Sequence, residues 1–269
     1  MSACLWECAV KINKYLFLFI LFCFCGITRA QVDAPAIAAA SDLKFALEEI
    51  AARFRADAGR EVRLSFGSSG NYFRQISEGA PFQVFLSADE GFVFRLHDAG
   101  KTEDRGMPYA VGRIVLFAPA ASLLQVDAGA AGLKAALAAN RISRFAIANP
   151  EHAPYGRAAE EALRTLRLWD GLKGRLVLGE NVSQAAQFAA SGSAQGGIFA
   201  YSLALSPSVS KLGRYVLLPA ELHKPLRQQM VLVKGAGATA RAFYVYLQQP
   251  AARKILVRHG FTLPGDPVK

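Results

Sequence analysis

The chain has 269 residues, and its 31 Lys and Arg against 21 Asp and Glu give a formal net charge of +10 at pH 7. The cysteines are Cys4, Cys8, Cys23 and Cys25, so the chain beyond residue 25 has no disulfide, thiol nucleophile or thiolate metal site. The basic residues are scattered and form no stripe with aromatics, which argues against nucleic-acid binding. A positive field still raises the encounter rate of a small anion.

The first 30 residues have the pattern of a secretory signal peptide. Lys11 and Lys14 precede the apolar run "YLFLFILFCFCGI", and small residues follow near Ala30. The run is short for a bilayer span, although a retained membrane anchor is the alternative. We predict cleavage after Ala30 and export of the mature protein. Removing Lys11, Lys14, Arg29 and Glu7 leaves 28 basic and 20 acidic residues, a net charge of +8.

Strand and helix patterns alternate from residue 35 onward. "PAIAAAS", "EVRLSF" and "FQVFLSA" read as strands, and each is followed by a helical pattern. "GRIVLFAP", "RFAIANP", "RLVLGE" and "GGIFAYSLAL" continue the strands, the last with an extension, and "YGRAAEEALRTLRLWDGLK" reads as one long amphipathic helix. "RYVLLPA" and "QQMVLVKG" are further strands, and the final helix is interrupted near Pro250. This α/β order predicts two similar lobes, each a mostly parallel sheet flanked by helices.

Four strand-to-helix junctions carry the candidate site residues. They contain Ser41-Asp42, Ser68-Ser69, the segment "NPEHAPYG" and the segment "GENVSQ". A helix N-terminus has unpaired N–H donors and a partial positive charge, which suits an anion. Each junction alone is also an ordinary N-cap or turn. If the junctions of both lobes converge, they form a cleft that binds a small oxyanion through neutral donors.

The segments "IAAASDL", "SFGSSG", "EGAPFQVFLSAD", "NPEHAPYG" and "YVYLQQPAARKILVRHGF" resemble the periplasmic molybdate-binding proteins of bacterial ABC transporters. The resemblance implies a type II periplasmic binding fold, with lobe I formed by residues 31–112 and 226–269 and lobe II by residues 113–225. It implies a monomeric receptor, without enzymatic activity, cofactor or bound metal cation, that captures molybdate or tungstate. Its partners would be an ABC permease and the permease's ATPase. The expected hinges are Val111–Arg113 and Pro225–Gln228.

The resemblance also implies a set of ligand-binding residues. The family's two serines fall on Ser41 and Ser69, and its two backbone amides fall on Tyr155 and Val182. The Tyr155 phenol is a further candidate. Some members contribute a tyrosine from "GIVYG", whereas this chain has "GIFAYS", so the hydroxyl moves to Tyr201 and, on a strand, to the other face.

The contribution of three further groups stays open at this point. Ser68 adjoins Ser69, and Tyr201 is the displaced tyrosine. Asp42 would repel a dianion, so we expect it to cap its own helix.

Two alternatives remain open from the sequence. One is a receptor of the same fold for sulfate, thiosulfate or an organic anion. The other is a secreted serine hydrolase in which Ser69, His152 and Asp42 meet in space. The four histidines show no spacing typical of a zinc site.

Overall fold

The computed structural model describes residues 34–266, and the predicted signal peptide lies outside them. Strands and helices largely alternate along this part of the chain, as the sequence predicts, but Met107–Gly112 is a strand that the sequence pattern did not predict. The strands are Ala36–Ala40 (β1), Arg63–Gly67 (β2), Phe82–Ser87 (β3), Met107–Gly112 (β4), Ile114–Pro119 (β5), Phe145–Ala148 (β6), Leu176–Gly179 (β7), Gly196–Ala200 (β8), Gly213–Leu217 (β9) and Leu226–Leu232 (β10).

The α-helices are Lys44–Ala58 (α1), Ser69–Ser77 (α2), Glu90–Asp98 (α3), Ala131–Ala138 (α4), Pro154–Thr165 (α5), Trp169–Leu172 (α6), Val182–Ala190 (α7), Tyr201–Ala204 (α8), Pro207–Ser210 (α9), Ala238–Tyr246 (α10) and Pro250–Arg258 (α11). Short 3₁₀ turns span Ser41–Leu43, Lys173–Arg175 and Ala220–Leu222. The predicted interruption near Pro250 separates α10 from α11, because a proline is accommodated at the start of a helix rather than inside it.

The strands form two five-stranded sheets, with the orders β2-β1-β3-β10-β4 and β7-β6-β8-β5-β9. In the first sheet β10 pairs antiparallel with both neighbours, and in the second sheet β5 does the same. Four strands of each sheet therefore run in one direction, which confirms the predicted mostly parallel α/β architecture. We call the first sheet with its helices lobe I and the second with its helices lobe II. The exact residue boundaries of the lobes stay a prediction.

Helices cover both faces of the lobe I sheet. Ile37 and Ala39 on β1 face a core that includes Phe54 of α1. Ala38 between them faces a second core that includes Ile76 of α2. Successive side chains of a strand point to opposite faces, so a strand covered on both sides is apolar throughout, as "AIAAA" is. This packing fixes the carboxyl end of β1, where Ser41 follows.

Two predicted elements differ in the structure. The strand "GGIFAYSLAL" ends at Ala200, and Tyr201 begins the short helix α8 instead of extending β8. The helix predicted from Tyr155 to Lys173 ends at Thr165, and Arg167 adopts a left-handed φ of 58° before α6 begins. Neither the end of β8 nor the end of α5 is marked by a glycine or a proline in the sequence. Among the described residues, no helix is long and apolar enough to cross a membrane.

Candidate ligand-binding site

A small cavity lies where the carboxyl ends of strands from both lobes meet. About 10 Å³ of it admits the centre of a water-sized sphere, which is room for about one water molecule. Its lining includes Ser41, Ser69, Tyr155 and Val182, four of the five predicted site residues. The other lining residues are Ala40, Asp42, Gly67, Ser68, Ala88, Ala153 and Pro154. None of these side chains is a cation, so the donors that the cavity offers are hydroxyls and backbone N–H groups.

Ser69 begins α2 and is fully buried. Its Oγ accepts a hydrogen bond from the Ala88 backbone N–H at 2.9 Å, just beyond the end of β3. Ser69 Oγ makes no other hydrogen bond within residues 34–266, so its hydroxyl proton is available to a ligand. Ser68 has a different role: it is the N-cap of α2, accepting from the Asn71 N–H at 3.3 Å, and its Oγ lies 3.0 Å from His152 Nδ1.

Ser41 follows β1 and joins the two lobes. Its hydroxyl donates to Asn181 Oδ1 at 3.1 Å, and its Oγ accepts from the Ser183 N–H at 3.2 Å. Asn181 is the N-cap of α7 and also accepts from the Gln184 N–H at 3.1 Å. A serine hydroxyl rotates freely, so the Ser41 proton can turn from Asn181 toward an anion in the cavity.

Lobe II contributes two helix N-termini. Tyr155 is the second residue of α5, and Val182 is the first residue of α7. The first four N–H groups of an α-helix have no partner within the helix, and the helix dipole adds partial positive charge there. Val182 follows the junction "GENVSQ", and Tyr155 follows the junction "NPEHAPYG". The four predicted residues are therefore brought together from four separate strand-to-helix junctions.

The side chain of Asp42 lies at the centre of a buried hydrogen-bond network that the sequence did not reveal. Its Oδ2 accepts from Tyr155 Oη at 2.9 Å and from Gln228 Nε2 at 2.6 Å. Tyr109 Oη in turn donates to Gln228 Oε1 at 2.6 Å. Asp42 is 1% exposed, and its Oδ1 has no hydrogen-bond partner of normal geometry within residues 34–266.

Burial sets the protonation of this network. It raises the pKa of Asp42 from its ordinary value of 3.8 to about 6, although the hydrogen bonds from Gln228 and Tyr155 and the nearby N–H groups of Asp42 and Leu43 act in the opposite direction. Burial, followed by the charge of Asp42, raises the pKa values of Tyr109 and Tyr155 well above their ordinary range. Both phenols therefore remain protonated donors at neutral pH.

These contacts correct two expectations. Asp42 does not cap its own helix, because its carboxyl bonds Tyr155 and Gln228 and no side-chain cap is present at Ser41–Leu43 or α1. The Tyr155 phenol donates its single proton to Asp42, so that proton is not directed at an anion here. The prediction that the Tyr155 backbone N–H donates to the ligand is unaffected.

Tyr201 lies elsewhere. It is not among the cavity-lining residues, and its ring centroid is 6.2 Å from that of Tyr215. Because Tyr201 is the first residue of α8, the alternation of a strand does not decide where its side chain points. Its contribution to ligand binding stays a prediction, and this packing does not favour it.

The hydrolase constellation is not assembled in the described part of the chain. His152 contacts Ser68 rather than Ser69, and the Asp42 carboxyl bonds Tyr155 and Gln228 rather than His152. A triad requires the nucleophile, the base and the orienting acid to be hydrogen-bonded in sequence. Within residues 34–266 there is also no group of three or more His, Cys, Asp or Glu placed to hold a metal ion.

The lobes touch directly around the cavity. The Gly70 N–H donates to the His152 carbonyl at 3.0 Å, Ser202 Oγ donates to the Asp42 carbonyl at 2.8 Å, and Arg157 pairs with Asp89. Asn71 Nδ2 donates to Glu180 at the rim. These contacts hold the two lobes in a closed arrangement over the buried lining.

Residues 36–262 match the sequence profile of a family described as bacterial extracellular solute-binding protein. The chain belongs to this family. The match covers both sheets and the whole cavity lining, so the site described above lies within the solute-binding fold.

Two relatives of this solute-binding protein and one solved structure are named as molybdate-binding proteins. The molybdate-binding protein ModA of Azotobacter vinelandii is 35% identical over 237 residues, which cover 87% of this chain and 92% of the relative. The molybdate-binding protein ModA of Rhodobacter capsulatus is 37% identical over 217 residues, covering 80% and 82%. The solved Azotobacter vinelandii periplasmic molybdate-binding protein superposes with a TM-score of 0.78 at 33% identity, covering 86% of this chain and 99% of that one. These relatives are named as binding proteins, not as enzymes.

Arg157→Ala is expected to shift the equilibrium between closed and open lobes only slightly toward the open form. Arg157 and Asp89 are both 36% exposed, and such pairs contribute about 1 kcal/mol or less, a factor of about five. Because the chain beyond residue 25 has no cysteine, spin labels on cysteines introduced at Ala56 and Lys134 report the distance between lobes specifically.

Arg164→Ala is the matched control for this measurement. Arg164 lies on the same helix, but its partner Glu160 is four residues away on α5 itself, so the pair does not join the lobes. An equal shift in both variants would contradict a role of the Arg157–Asp89 pair in closure.

Proposed function

We propose that this protein is a periplasmic receptor that captures molybdate or tungstate and delivers it to an ABC permease driven by an ATPase. The observation that carries the proposal is the cavity between the lobes, lined by Ser41, Ser69 and two helix N-termini without any cationic side chain. The choice of molybdate as the ligand rests on the names of the relatives from Azotobacter vinelandii and Rhodobacter capsulatus. We further propose that residues 1–30 direct export, and that the protein is a monomer without catalytic turnover.

The binding set we propose is Ser41 Oγ, Ser69 Oγ and the backbone N–H groups of Tyr155 and Val182. Each hydrogen bond to a charged acceptor contributes about 1.5–3 kcal/mol net, so four such donors offset much of the cost of removing water from a dianion. Two donors come from each lobe. Ligand binding therefore stabilises the closed form over the open form, as hinge closure requires.

Size is the proposed basis of selectivity. In this closed arrangement the cavity admits about one water-sized sphere, so a tetrahedral oxyanion binds with the lobes slightly further apart. The larger oxyanions molybdate and tungstate would contact donors of both lobes at once, whereas sulfate would leave gaps on one side. Sulfate is the competing ligand, since it has the same shape and charge.

Isothermal titration of the purified protein with molybdate, tungstate, sulfate and phosphate tests the proposal. We expect 1:1 binding of molybdate and tungstate, and at least tenfold weaker binding of the other two. Sulfate binding at equal or higher affinity would favour the alternative receptor. No heat with any of the four anions would contradict the proposed function.

Ser69→Ala is expected to weaken molybdate binding by about 10- to 100-fold, since it removes one charge-assisted hydrogen bond of about 1.5–3 kcal/mol. It also leaves the Ala88 N–H without its acceptor. Ser77→Ala is the control, because Ser77 ends the same helix and donates to the Phe73 carbonyl at 2.8 Å, away from the cavity. Equal affinities of the two variants would remove Ser69 from the binding set.

A further inference from the structure

The proposed donors do not account for Asp42, although Asp42 is among the residues that line the same cavity. Oδ2 already accepts two hydrogen bonds, from Tyr155 and from Gln228. Oδ1 has no hydrogen-bond partner of normal geometry within the described residues, although the backbone N–H groups of Asp42 and Leu43 act on the carboxyl, and the side chain is almost fully buried. A buried polar atom without a partner is rare, because it has lost its water without replacement.

An ionised carboxylate at this position would disfavour binding of the proposed ligand. It carries only acceptors, and a dianion offers only acceptors, so the two cannot form a hydrogen bond without a proton between them. Their charges also repel in a site from which water is excluded. A protonated carboxyl reverses both effects, since it is neutral and presents one O–H donor. With Oδ2 held by Tyr155 and Gln228, the free position for that proton is Oδ1.

We propose that Asp42 is a ligand-binding residue that acts as a neutral carboxylic acid, donating from Oδ1 to the oxyanion, so that each ligand is captured together with one proton. The inference rests on the proposed function and adds a donor to it. The proton comes from solvent and stays on Asp42 while the ligand is bound. The ligand itself remains a dianion.

The groups around Asp42 favour this assignment. The titratable side chains that act on it are the phenols Tyr109 and Tyr155, which stay neutral. Lys44 on α1 is paired with Glu48 at 2.6 Å, and the Arg227 guanidinium on β10 lies 3.5 Å from Glu90. The remaining charged side chains on the packed elements are Glu49, Arg53, Arg55, Asp57, Arg63, Arg157, Glu160, Glu161 and Arg164, and at the cavity rim His152 and Glu180. Among the residues that the structure describes, no cation is hydrogen-bonded to the Asp42 carboxyl to hold it ionised.

The proton is available near neutral pH, because burial raises the pKa of Asp42 to about 6. If only the protonated form binds ligand, the apparent affinity falls as pH rises above that value, approaching tenfold per pH unit. Between about pH 6.5 and about pH 8.5 the expected loss is about 50- to 100-fold.

Isothermal titration of the full protein with molybdate at these two pH values tests the inference. Repeating the titration at the higher pH in two buffers of different ionisation enthalpy counts the protons taken up, and we expect about one per molybdate. Asp42→Asn places an amide N–H₂ where the Oδ1 proton would be, so its affinity should be high and the same at both pH values, with no proton uptake. Molybdate keeps its two charges throughout this range.

His152→Gln serves as the control, since it removes a nearby imidazole that contacts Ser68 and leaves Asp42 in place. This variant should keep the full pH dependence. Loss of the pH dependence in His152→Gln, or equal molybdate affinity of the unchanged protein at both pH values, would overturn the inference while leaving the proposed function standing. Tighter binding of phosphate than molybdate at the higher pH, abolished by Asp42→Asn, would also overturn it, because the carboxylate would then accept a proton from the ligand. Absence of molybdate binding by every variant would overturn both.

Discussion

Gly70→Ala is expected to weaken molybdate binding by about 100-fold or more without destabilising the fold. A Cβ atom at Gly70 would lie 2.5 Å from the His152 carbonyl oxygen and 3.0 Å from the His152 Cα. Gly70 is on α2 of lobe I, and His152 precedes α5 of lobe II. Because the atoms in conflict are backbone atoms, the clash is relieved only by parting the lobes.

Parting the lobes removes the lobe II donors from the ligand. The backbone N–H groups of Tyr155 and Val182 would no longer reach an anion held by Ser41 and Ser69. Two charge-assisted hydrogen bonds are worth about 3–6 kcal/mol together, which corresponds to a loss of about 100- to 10,000-fold. Alanine is a better helix former than glycine, so each lobe should remain folded.

The measurement combines titration with the spin-label distance between Ala56→Cys and Lys134→Cys. We expect Gly70→Ala to show a longer distance that molybdate does not shorten, with an unchanged circular dichroism spectrum. Gly174→Ala is the control, since a Cβ atom there meets nothing within 4 Å. Full closure of Gly70→Ala on adding molybdate would contradict the argument.

The predictable part of the site is the part that local sequence determines. Ser41, Ser69, Tyr155 and Val182 each lie at the start of a helix just after a strand, and both elements are visible in the apolar pattern. Parallel strands place their carboxyl ends on one edge of a sheet, so the convergence of these junctions follows from the fold class. The fold class does not identify the ligand, which was predicted from the resemblance to molybdate-binding proteins.

The Asp42 network could not be predicted in the same way. Asp42 and Gln228 are 186 residues apart, and their contact exists only because β10 returns to lobe I after the chain has built lobe II. The available signal was the pair Gln228-Gln229 between Arg227 and the apolar run that ends the strand, both of them buried in the structure. Adjacent buried amides in a central strand indicate a polar network on each face.

The two misread elements share a physical cause. After Phe199 the residues Ala200, Tyr201 and Leu203 continue an apolar run without a glycine or proline, and a short run of this kind suits a strand or one helical turn equally. The break at Arg167 is likewise set by packing, because a non-glycine residue with positive φ needs support from its surroundings. Elements of four residues are decided by tertiary contacts rather than by propensity.

Asp42→Asn is expected to raise the free energy of unfolding at about pH 8 by about 3 kcal/mol and to change it little at about pH 4. In the folded protein the pKa of Asp42 is raised from 3.8 to about 6, and each pKa unit corresponds to about 1.4 kcal/mol. A raised carboxyl pKa means that its stabilising contribution is complete below pH 3.8 and is lost as pH rises through about 6. Asparagine never ionises, so it keeps that contribution at every pH.

Thermal unfolding of both proteins across this pH range measures the difference. For a chain of this size we expect the variant to unfold about 6–12 °C higher at the upper pH, and within a few degrees at the lower pH. Asp170→Asn is the control, because the Asp170 side chain is 86% exposed and pairs with Lys173 at the surface. The stability and binding experiments both report the charge of Asp42, because the carboxylate that weakens the fold at high pH is the one that must take up a proton when the oxyanion binds. An equal stability gain at both pH values would mean that asparagine improves packing only, and the proton uptake on molybdate binding would then need another source.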